Sequence, residues 1–229
     1  MLTIDIYSDV ICPWCFIGKR RMEKGLAGQA ATVRWHPFEL NPDMPREGVE
    51  RRAYRIEKFG SWERSLELDA QVSRAAADEG LAFNTDKMAR TPYTFDSHRI
   101  IWLAGERSVQ DAVVEALFKA YFTDGRDLSD RATLAEVAVE GDLDAKEVND
   151  LLAGDRGEAE VREWEQKGQR LGVSGVPFFV INGKVALSGA QPPEMFRAAI
   201  EQATATGAGD TSPQTAAQAP WKPPPPTSA

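Results

Sequence analysis

Cysteine and histidine are both scarce in this sequence, which contains two residues of each among 229. Two cysteines are too few for the disulfide framework of a small secreted protein. A structural zinc site needs three or four ligands, and neither His36 nor His98 stands at finger-like spacing from the cysteines. We therefore predict no metal site, and the cysteine pair itself becomes the main chemical feature of the chain.

The sequence also lacks long apolar runs and an excess of positive charge. No segment approaches the 18 or so apolar residues typical of a membrane-spanning helix, and no basic stretch precedes an apolar segment near residue 1. Its 35 acidic and 27 basic residues give a net charge of −8, which disfavours binding to nucleic acid or to an anionic membrane surface. We expect a cytoplasmic protein without nucleic-acid or membrane partners, and leave monomer and homodimer open.

Both cysteines belong to a Cys-Pro-Trp-Cys motif that follows an apolar, partly alternating run at residues 2–6. The run predicts a strand, the Ser-Asp pair after it a turn, and the segment from Pro13 onward a helix. Pro13 suits the first helical position, where the N–H that it lacks would have no partner. Cys12 is therefore expected at a helix N-terminus, whose partial positive charge favours a thiolate over a thiol.

This placement predicts a redox-active dithiol with two distinct roles. Cys12 is the candidate nucleophile, and Cys15, one helical turn further on and less exposed, is the candidate resolving thiol. A purely structural disulfide is disfavoured, because closing a loop with two intervening residues restrains little of the unfolded chain.

The remainder of the chain predicts strands at both ends of a long helical block. A second strand at 32–38 forms a βαβ unit with the first, and residues 175–188 predict a hairpin around Asn182-Gly183, entered at Pro177 and followed by a helix to about residue 203. Between them, helices are predicted at 51–59, 61–80, 96–104, 108–123, 130–139, 144–153 and 157–171.

Several details of these helices can be predicted as well. Leu66, Leu68 and Val72 are expected on the apolar face of the second helix of the block. Ser108 and Asp144 are residue types that cap helix N-termini. We expect a disordered tail at 204–229, where the composition shifts to Ala, Thr, Gly and Pro, with a polyproline ligand as the alternative.

The two histidines are expected to be hydrogen-bonded structural residues. His36 lies in the second predicted strand, and His98 lies near the start of a predicted helix. For His98 a role as a proton shuttle at the active site is the alternative.

Five short motifs together resemble the DsbA family of the thioredoxin superfamily, and within it the FrnE-like branch. They are Ser-Asp-Val-Ile-Cys-Pro-Trp-Cys-Phe-Ile-Gly-Lys at 8–19, Pro-Phe-Glu-Leu-Asn-Pro at 37–42, Ser-His-Arg at 97–99, Gly-Val-Pro-Phe-Phe-Val at 175–180 and Gly-Ala-Gln-Pro at 189–192. The resemblance covers about residues 1–203. It implies an α/β thioredoxin-like fold, βαβ plus ββα, formed by residues 1–38 and 173–203 with an all-helical insertion at 39–172.

The same resemblance implies roles for individual residues. Cys12 matches the exposed nucleophile of the family, Cys15 its buried partner, and Pro177 its cis-proline beside the active site. The backbone of Val176 would then pair with a bound peptide as a short added strand.

Pro13 and Trp14, between the cysteines, complete the implied substrate-binding set. The implied activity is that of a protein disulfide oxidoreductase or isomerase acting on protein or peptide thiols and disulfides, with no cofactor beyond the dithiol and with glutathione as a candidate reductant. Trp14 replaces the histidine of the periplasmic enzyme, which predicts a less oxidising pair and favours reductase or isomerase work.

Two other functions are alternatives. Relatives of this fold act as glutathione transferases or 2-hydroxychromene-2-carboxylate isomerases, but they typically have serine at the position of Cys12. A non-enzymatic binding or chaperone module is the second alternative, and a Cys12→Ser protein that kept its cellular role would favour it.

Overall fold

The computed structural model describes residues 1–205 and the backbone of the pair 214–215. The strands are β1 (Leu2–Ser8), β2 (Ala31–Pro37), β3 (Val49–Glu50), β4 (Arg90–Thr91), β5 (Phe178–Ile181), β6 (Val185–Ser188) and β7 (Gln214–Thr215). The helices are α1 (Pro13–Leu26), α2 (Arg51–Phe59), α3 (Trp62–Asp78), α4 (Phe95–Glu106), α5 (Gln110–Phe122), α6 (Arg131–Glu140), α7 (Ala145–Ala153), α8 (Glu158–Arg170) and α9 (Pro193–Ala205).

The main sheet has the strand order β2-β1-β5-β6-β7. β1 and β2 are parallel and joined by α1, whereas β5 pairs antiparallel with both β1 and β6. Alternate residues of β1, Ile4 and Ile6, are fully buried, as are Phe179 and Ile181 on β5, because successive side chains of a strand point to opposite faces. The predicted thioredoxin-like α/β fold, βαβ plus ββα, is confirmed.

The hairpin between β5 and β6 turns at the predicted Asn-Gly pair. Asn182 and Gly183 have φ angles of 51° and 66°, the left-handed conformation that these two residue types adopt most readily. The Asn182 side chain also accepts a hydrogen bond of 2.9 Å from the backbone N–H of Thr3 on β1. The turn is therefore tied to the neighbouring strand as well as to its own.

Within the described residues, seven helices, α2 to α8, lie between β2 and β5. Apolar residues of α5 at helical spacing form a buried stripe: Val113, Val114, Leu117, Phe118, Tyr121 and Phe122. Phe118 on this stripe stacks on Phe16 of α1 with ring centroids 5.0 Å apart, so the helical block shares a core with the sheet.

The division into domains at 1–38, 39–172 and 173–203 stays a prediction, and the predicted tail at 204–229 lies largely outside the described residues.

Three local predictions are wrong. Leu66 is 47% exposed, and α3 instead buries Ser65, Asp69, Val72 and Ala76. Ser108 has a φ of 60°, and the residue preceding α5 is Val109, which makes no side-chain cap. The short antiparallel ladder of β3 with β4 lies inside the insertion at 39–172, which the resemblance implies to be all-helical.

The predicted limits of the helices agree with the observed ones to within two residues. Asp144 caps α7 by accepting a hydrogen bond of 3.0 Å from the backbone N–H of Glu147.

In the described part of the chain, no helix combines the length and the apolar character that crossing a membrane requires.

Candidate active site

Cys12 is the N-cap residue of α1, as predicted. Its backbone is extended, with φ −87° and ψ 108°, and Pro13 follows at the start of the helix. The Cys12 N–H donates to the Asp9 carbonyl at 3.0 Å, and the Cys12 carbonyl accepts the Cys15 N–H at 3.0 Å. The first helical turn is thereby fixed to the end of β1, with its positive end at the Cys12 sulfur.

A second segment approaches the same sulfur from the other end of the chain. The Cys12 Sγ atom donates a hydrogen bond of 3.5 Å to the Val176 carbonyl oxygen, and the peptide bond between Val176 and Pro177 is cis. Val176 precedes β5, which pairs with β1. The sheet therefore brings together Cys12, Val176 and Pro177, three of the residues that the resemblance implies for the site.

The expected exposure of Cys12 is not found. Its exposed fraction is 4%, against 1% for Cys15, and both are free thiols. Cys12 is covered on one side by the Val176 backbone, which lies against its sulfur. On the other side, residues of the helical block enclose a cavity over it. The sulfur is therefore reached through that cavity rather than on an open surface.

Cys15 lies in a more strongly buried environment. Burial raises the pKa of its thiol well above the ordinary value, and hydrogen bonding with Cys12 and the charge of Cys12 raise it further. Hydrogen bonds to the Ser8 side chain and the Asp9 backbone act in the opposite direction without reversing the pKa shift. Cys15 is thus held as a neutral thiol behind Cys12.

The cavity over Cys12 has a volume of about 440 Å³, within the range of small-molecule sites. Pro13, Trp14 and Val176, the predicted substrate-binding residues, all line it. Pro177 lines a neighbouring cavity of about 320 Å³, which Trp14 and Val176 also border. Apolar side chains make up much of the larger cavity, including Ile11, Leu40, Val72, Phe83, Met88 and Phe122.

One wall of the larger cavity is basic. Arg51, Arg55 and Lys58 of α2 line it together with Asp69 of α3. Nη2 of Arg51 lies 3.0 Å and 2.8 Å from the two Asp69 carboxylate oxygens, and Nη2 of Arg55 lies 2.7 Å from Asp69 Oδ1. Arg55 also donates from Nε to the Ser65 hydroxyl, so the guanidinium groups are held in place.

A separate group of acidic residues, one of them fully buried, surrounds the buried His98. Asp9 is fully buried, and its carboxylate accepts the Leu40 N–H at 2.7 Å. His98 Nε2 lies 3.6 Å from Asp9 Oδ1, too far for a good hydrogen bond, and it has no hydrogen-bond partner in the described part of the structure. Glu39 Oε1 is also buried without a partner there.

Burial and mutual charge shift the pKa values of this group. Burial lowers the pKa of His98, but the carboxylates of Asp9, Glu39 and Glu165 outweigh it and the net pKa is raised. Burial raises the pKa of Glu39 to about 7, with the His98 charge opposing it. His98 lines a different cavity, of about 680 Å³, from the one that Cys12 lines.

The two histidines differ in how far they match their predictions. His36 is structural as expected: its Nε2 lies 2.8 Å from Asp5 Oδ1 and its ring stacks on Trp164 with centroids 4.0 Å apart. His98 is buried as expected but lacks the expected hydrogen bond.

In the region that the structure describes, no three His, Cys, Asp or Glu side chains are grouped so that they could hold a metal ion.

Comparison with known families adds to this geometry. A family model described as the DSBA-like thioredoxin domain matches residues 3–201. This chain belongs to the DSBA-like thioredoxin domain family. The FrnE-like branch within the family stays a prediction, because the comparisons do not separate it from other members.

Three solved structures have the same fold as this family member. The probable DsbA oxidoreductase SCO1869 of Streptomyces coelicolor is 36% identical, with a TM-score of 0.85, over 91% of this chain and 92% of that chain. A 2-hydroxychromene-2-carboxylate isomerase is 17% identical, with a TM-score of 0.65, over 87% and 95% of the two chains. The cytosolic disulfide reductase DsbM of Pseudomonas aeruginosa with GSH is 18% identical, with a TM-score of 0.61, over 89% and 100%.

In this DSBA-like domain the cysteine side of the cavity is predictable from the sequence, whereas its basic side is not among the predicted site residues. Arg51, Arg55 and Lys58 stand at positions i, i+4 and i+7 of α2, a spacing that places side chains on one helix face. That spacing was available from the sequence. The spacing does not reveal that this face of α2 lies over Cys12. That contact depends on how α2 packs against α1, which is distant in the chain.

Proposed function

We propose that this protein is a thiol-disulfide oxidoreductase in which Cys12 is the nucleophile and Cys15 the resolving thiol. The observation that carries the proposal is the position of the Cys12 sulfur, at the N-terminus of α1 and 3.5 Å from the Val176 carbonyl, with Cys15 one turn deeper. Family membership supports it, since SCO1869 is named as a probable DsbA oxidoreductase.

The first step is attack by the Cys12 thiolate on one sulfur of a substrate disulfide. The substrate S–S bond breaks, a mixed disulfide forms with Cys12, and the other substrate sulfur leaves as a thiolate that takes up a proton. The positive end of α1 stabilises the attacking thiolate. No electrons have left the pair at this stage, because one disulfide has been exchanged for another.

Resolution uses Cys15. Once Cys12 is bound in the mixed disulfide, its sulfur carries no charge, so one of the influences that raise the pKa of Cys15 disappears. The Cys15 thiol can then lose its proton and attack the Cys12 sulfur. The Cys12–Cys15 disulfide forms, the second substrate thiolate leaves, and the two electrons of the dithiol have passed to the substrate.

The direction of electron flow and the choice of reductant depend on the reduction potential of the Cys12/Cys15 pair. Trp14 supplies no cation beside Cys12, which favours a moderately reducing pair, and we propose reduction or isomerisation of disulfides with glutathione as the reductant. DsbM, a structural neighbour, is named as a cytosolic disulfide reductase and its structure contains GSH; this supports the proposed reductant and a cytoplasmic location. Glutathione transferase activity and 2-hydroxychromene-2-carboxylate isomerase activity are disfavoured, because relatives with these activities typically have serine where this chain has Cys12.

The decisive experiment equilibrates the purified protein in graded glutathione buffers and reads the dithiol fraction by alkylation, with insulin-disulfide reduction assayed on the same protein. We expect a single two-electron transition, and no insulin reduction by a Cys12→Ser variant that keeps the wild-type thermal midpoint. If the thiols do not cycle, or if insulin reduction survives in Cys12→Ser, the proposal is wrong. Glutathione conjugation and chromene carboxylate isomerisation are then the activities to assay.

A further inference from the structure

The cavity over Cys12 has an unusual charge for this chain. The whole protein has a net charge of −8, yet three basic side chains and one carboxylate line this cavity among the described residues. Asp69 is shared by both arginines, and the Lys58 ammonium donates to the neutral hydroxyl of Tyr54 at 2.6 Å. The wall therefore carries an excess of positive charge that one aspartate does not balance.

The pKa of the Arg55 guanidinium reflects this imbalance. The pKa of Arg55 is lowered, first by burial and then by the charge of Arg51, even though Asp69 lies within ion-pair distance. A shift in this direction is expected where two cations face each other and a single carboxylate serves both. An additional anion in the cavity would relieve the repulsion between them.

The cavity also limits the size of what it can bind. Its volume of about 440 Å³ suits a molecule of small-ligand size, and aromatic and aliphatic side chains such as Phe83, Met88 and Phe122 line it beside the charged wall. A ligand that matches both surfaces has an apolar body and an anionic group. Because Cys12 lines the same cavity, that body can present a sulfur to the nucleophile.

We propose that the Cys12 cavity selects small thiols and disulfides that carry a carboxylate, which Arg55 and Lys58 bind. The inference rests on the proposed disulfide chemistry of Cys12 and adds a substrate class to it. The carboxylate makes charge-assisted hydrogen bonds to the basic wall, while the exchange at sulfur proceeds as written above. Arg51 is the more deeply buried cation, and it holds Asp69 in place.

Three small disulfides of similar size test this selection. Dithiodipropionate is anionic, hydroxyethyl disulfide is neutral and cystamine is cationic, so they differ mainly in charge. The rate constant for reduction of each by the reduced protein is measured by stopped flow and divided by its rate constant with free dithiothreitol, which corrects for intrinsic reactivity. We expect the corrected rates to fall in the order anionic, neutral, cationic, and the preference to shrink with added salt.

Variants of α2 identify the residues responsible. Lys58→Gln and Arg55→Gln should each lower the ratio of the anionic to the neutral rate constant by about fivefold, as expected for loss of one partly screened ion pair, and Arg55→Lys should restore most of it. Arg52→Gln is the matched control, because Arg52 is an exposed residue of the same helix whose guanidinium lies over Trp62, 5.2 Å from the ring centroid, and outside the cavity. Lys58 is itself exposed, so its variant is expected to fold even if Arg55→Gln does not.

A binding measurement separates this inference from the proposed function. Dithiodipropionate should bind to Cys12→Ser by calorimetry, and more weakly to Cys12→Ser carrying Lys58→Gln. If the wild type reduces all three disulfides at equal corrected rates and Cys12→Ser binds none of them, the inference is overturned and the proposed function stands. If no disulfide is reduced at all, the proposed function fails and this inference fails with it.

Discussion

The sulfur of Cys12 lies 3.5 Å from the carbonyl oxygen of Val176, a residue 164 positions further along the chain. The pairing of β1 with β5, in which Ile6 stands opposite Phe179, creates this contact. The cysteine motif leaves the end of β1, and Val176 enters β5 beside it. Because both partners are attached to central strands of one sheet, the site is held by rigid elements rather than by loops alone.

We expect Cys15→Ser to accumulate a mixed disulfide between Cys12 and its substrate. The variant keeps the nucleophile but lacks the thiol that resolves the first intermediate. Mass spectrometry without reductant, after incubation with oxidised insulin or a small disulfide, should detect the adduct. Cys12→Ser is the matched control and should form none; an adduct on Cys15 in that variant would contradict the assignment of roles.

Trp14→His should make the dithiol pair more oxidising. An imidazolium between the cysteines stabilises the Cys12 thiolate and hence the reduced form, and about 1.4 kcal/mol of such stabilisation raises the potential by about 30 mV. Equilibration in glutathione buffers measures the change. Trp14→Phe, which adds no charge, controls for lost packing, and an equal rise in both variants would show that charge is not the cause.

Asp69→Asn should lower the free energy of unfolding by about 3–5 kcal/mol, because it leaves the buried Arg51 guanidinium without its counter-charge. The side chains of both partners are only 7% exposed. Asp150→Asn is the control, since its ion pair with Lys146 has side chains 62% and 83% exposed and should contribute little to stability. Urea unfolding measures both, and similar losses would contradict the role assigned to Asp69.

The stability of the protein should fall as the pH rises from about 5 to about 8. Burial raises the pKa of Glu39 from 4.5 to about 7, so the folded state holds a proton that the unfolded chain has released in this window. The raised pKa of His98 acts in the same direction, because the stability from its protonated form is lost as pH rises through its folded pKa.

Glu39→Gln isolates the carboxyl contribution to this pH dependence. The variant should gain stability relative to the wild type as pH increases from about 5 to about 8, because the glutamine cannot ionise in the buried site. Urea unfolding at several pH values measures the gain. Glu57→Gln, a change at an exposed position of α2, should show no such trend, and parallel stability curves for wild type and Glu39→Gln would refute the expectation.

Local sequence determined the cysteine end of the site and much of the secondary structure. A proline directly after Cys12, an apolar run before it and an Asn-Gly pair at 182–183 each specify a helix start, a strand or a turn through interactions within a few residues. The observed limits of α2 match the predicted 51–59 for the same reason, since Gly60 follows with a φ of 89° and ends the helix.

Tertiary packing decided what local signals could not. Leu66 was expected inside, but α3 turns Asp69 inward because two arginines of α2 are there to receive its carboxylate. Ser108 was expected to cap α5 and does not. The resemblance implies an exposed Cys12, but Val176 lies against its sulfur and covers it.

The sequence by itself therefore determined the chemistry of this protein: two thiols at a helix start, next to a strand, in a chain with no other cysteine. Only the tertiary structure decided the shape and charge of the space above them. Burial and ion pairing depend on which distant segments meet, and the energies that bring α2 over Cys12 arise from the whole core rather than from any short stretch of residues.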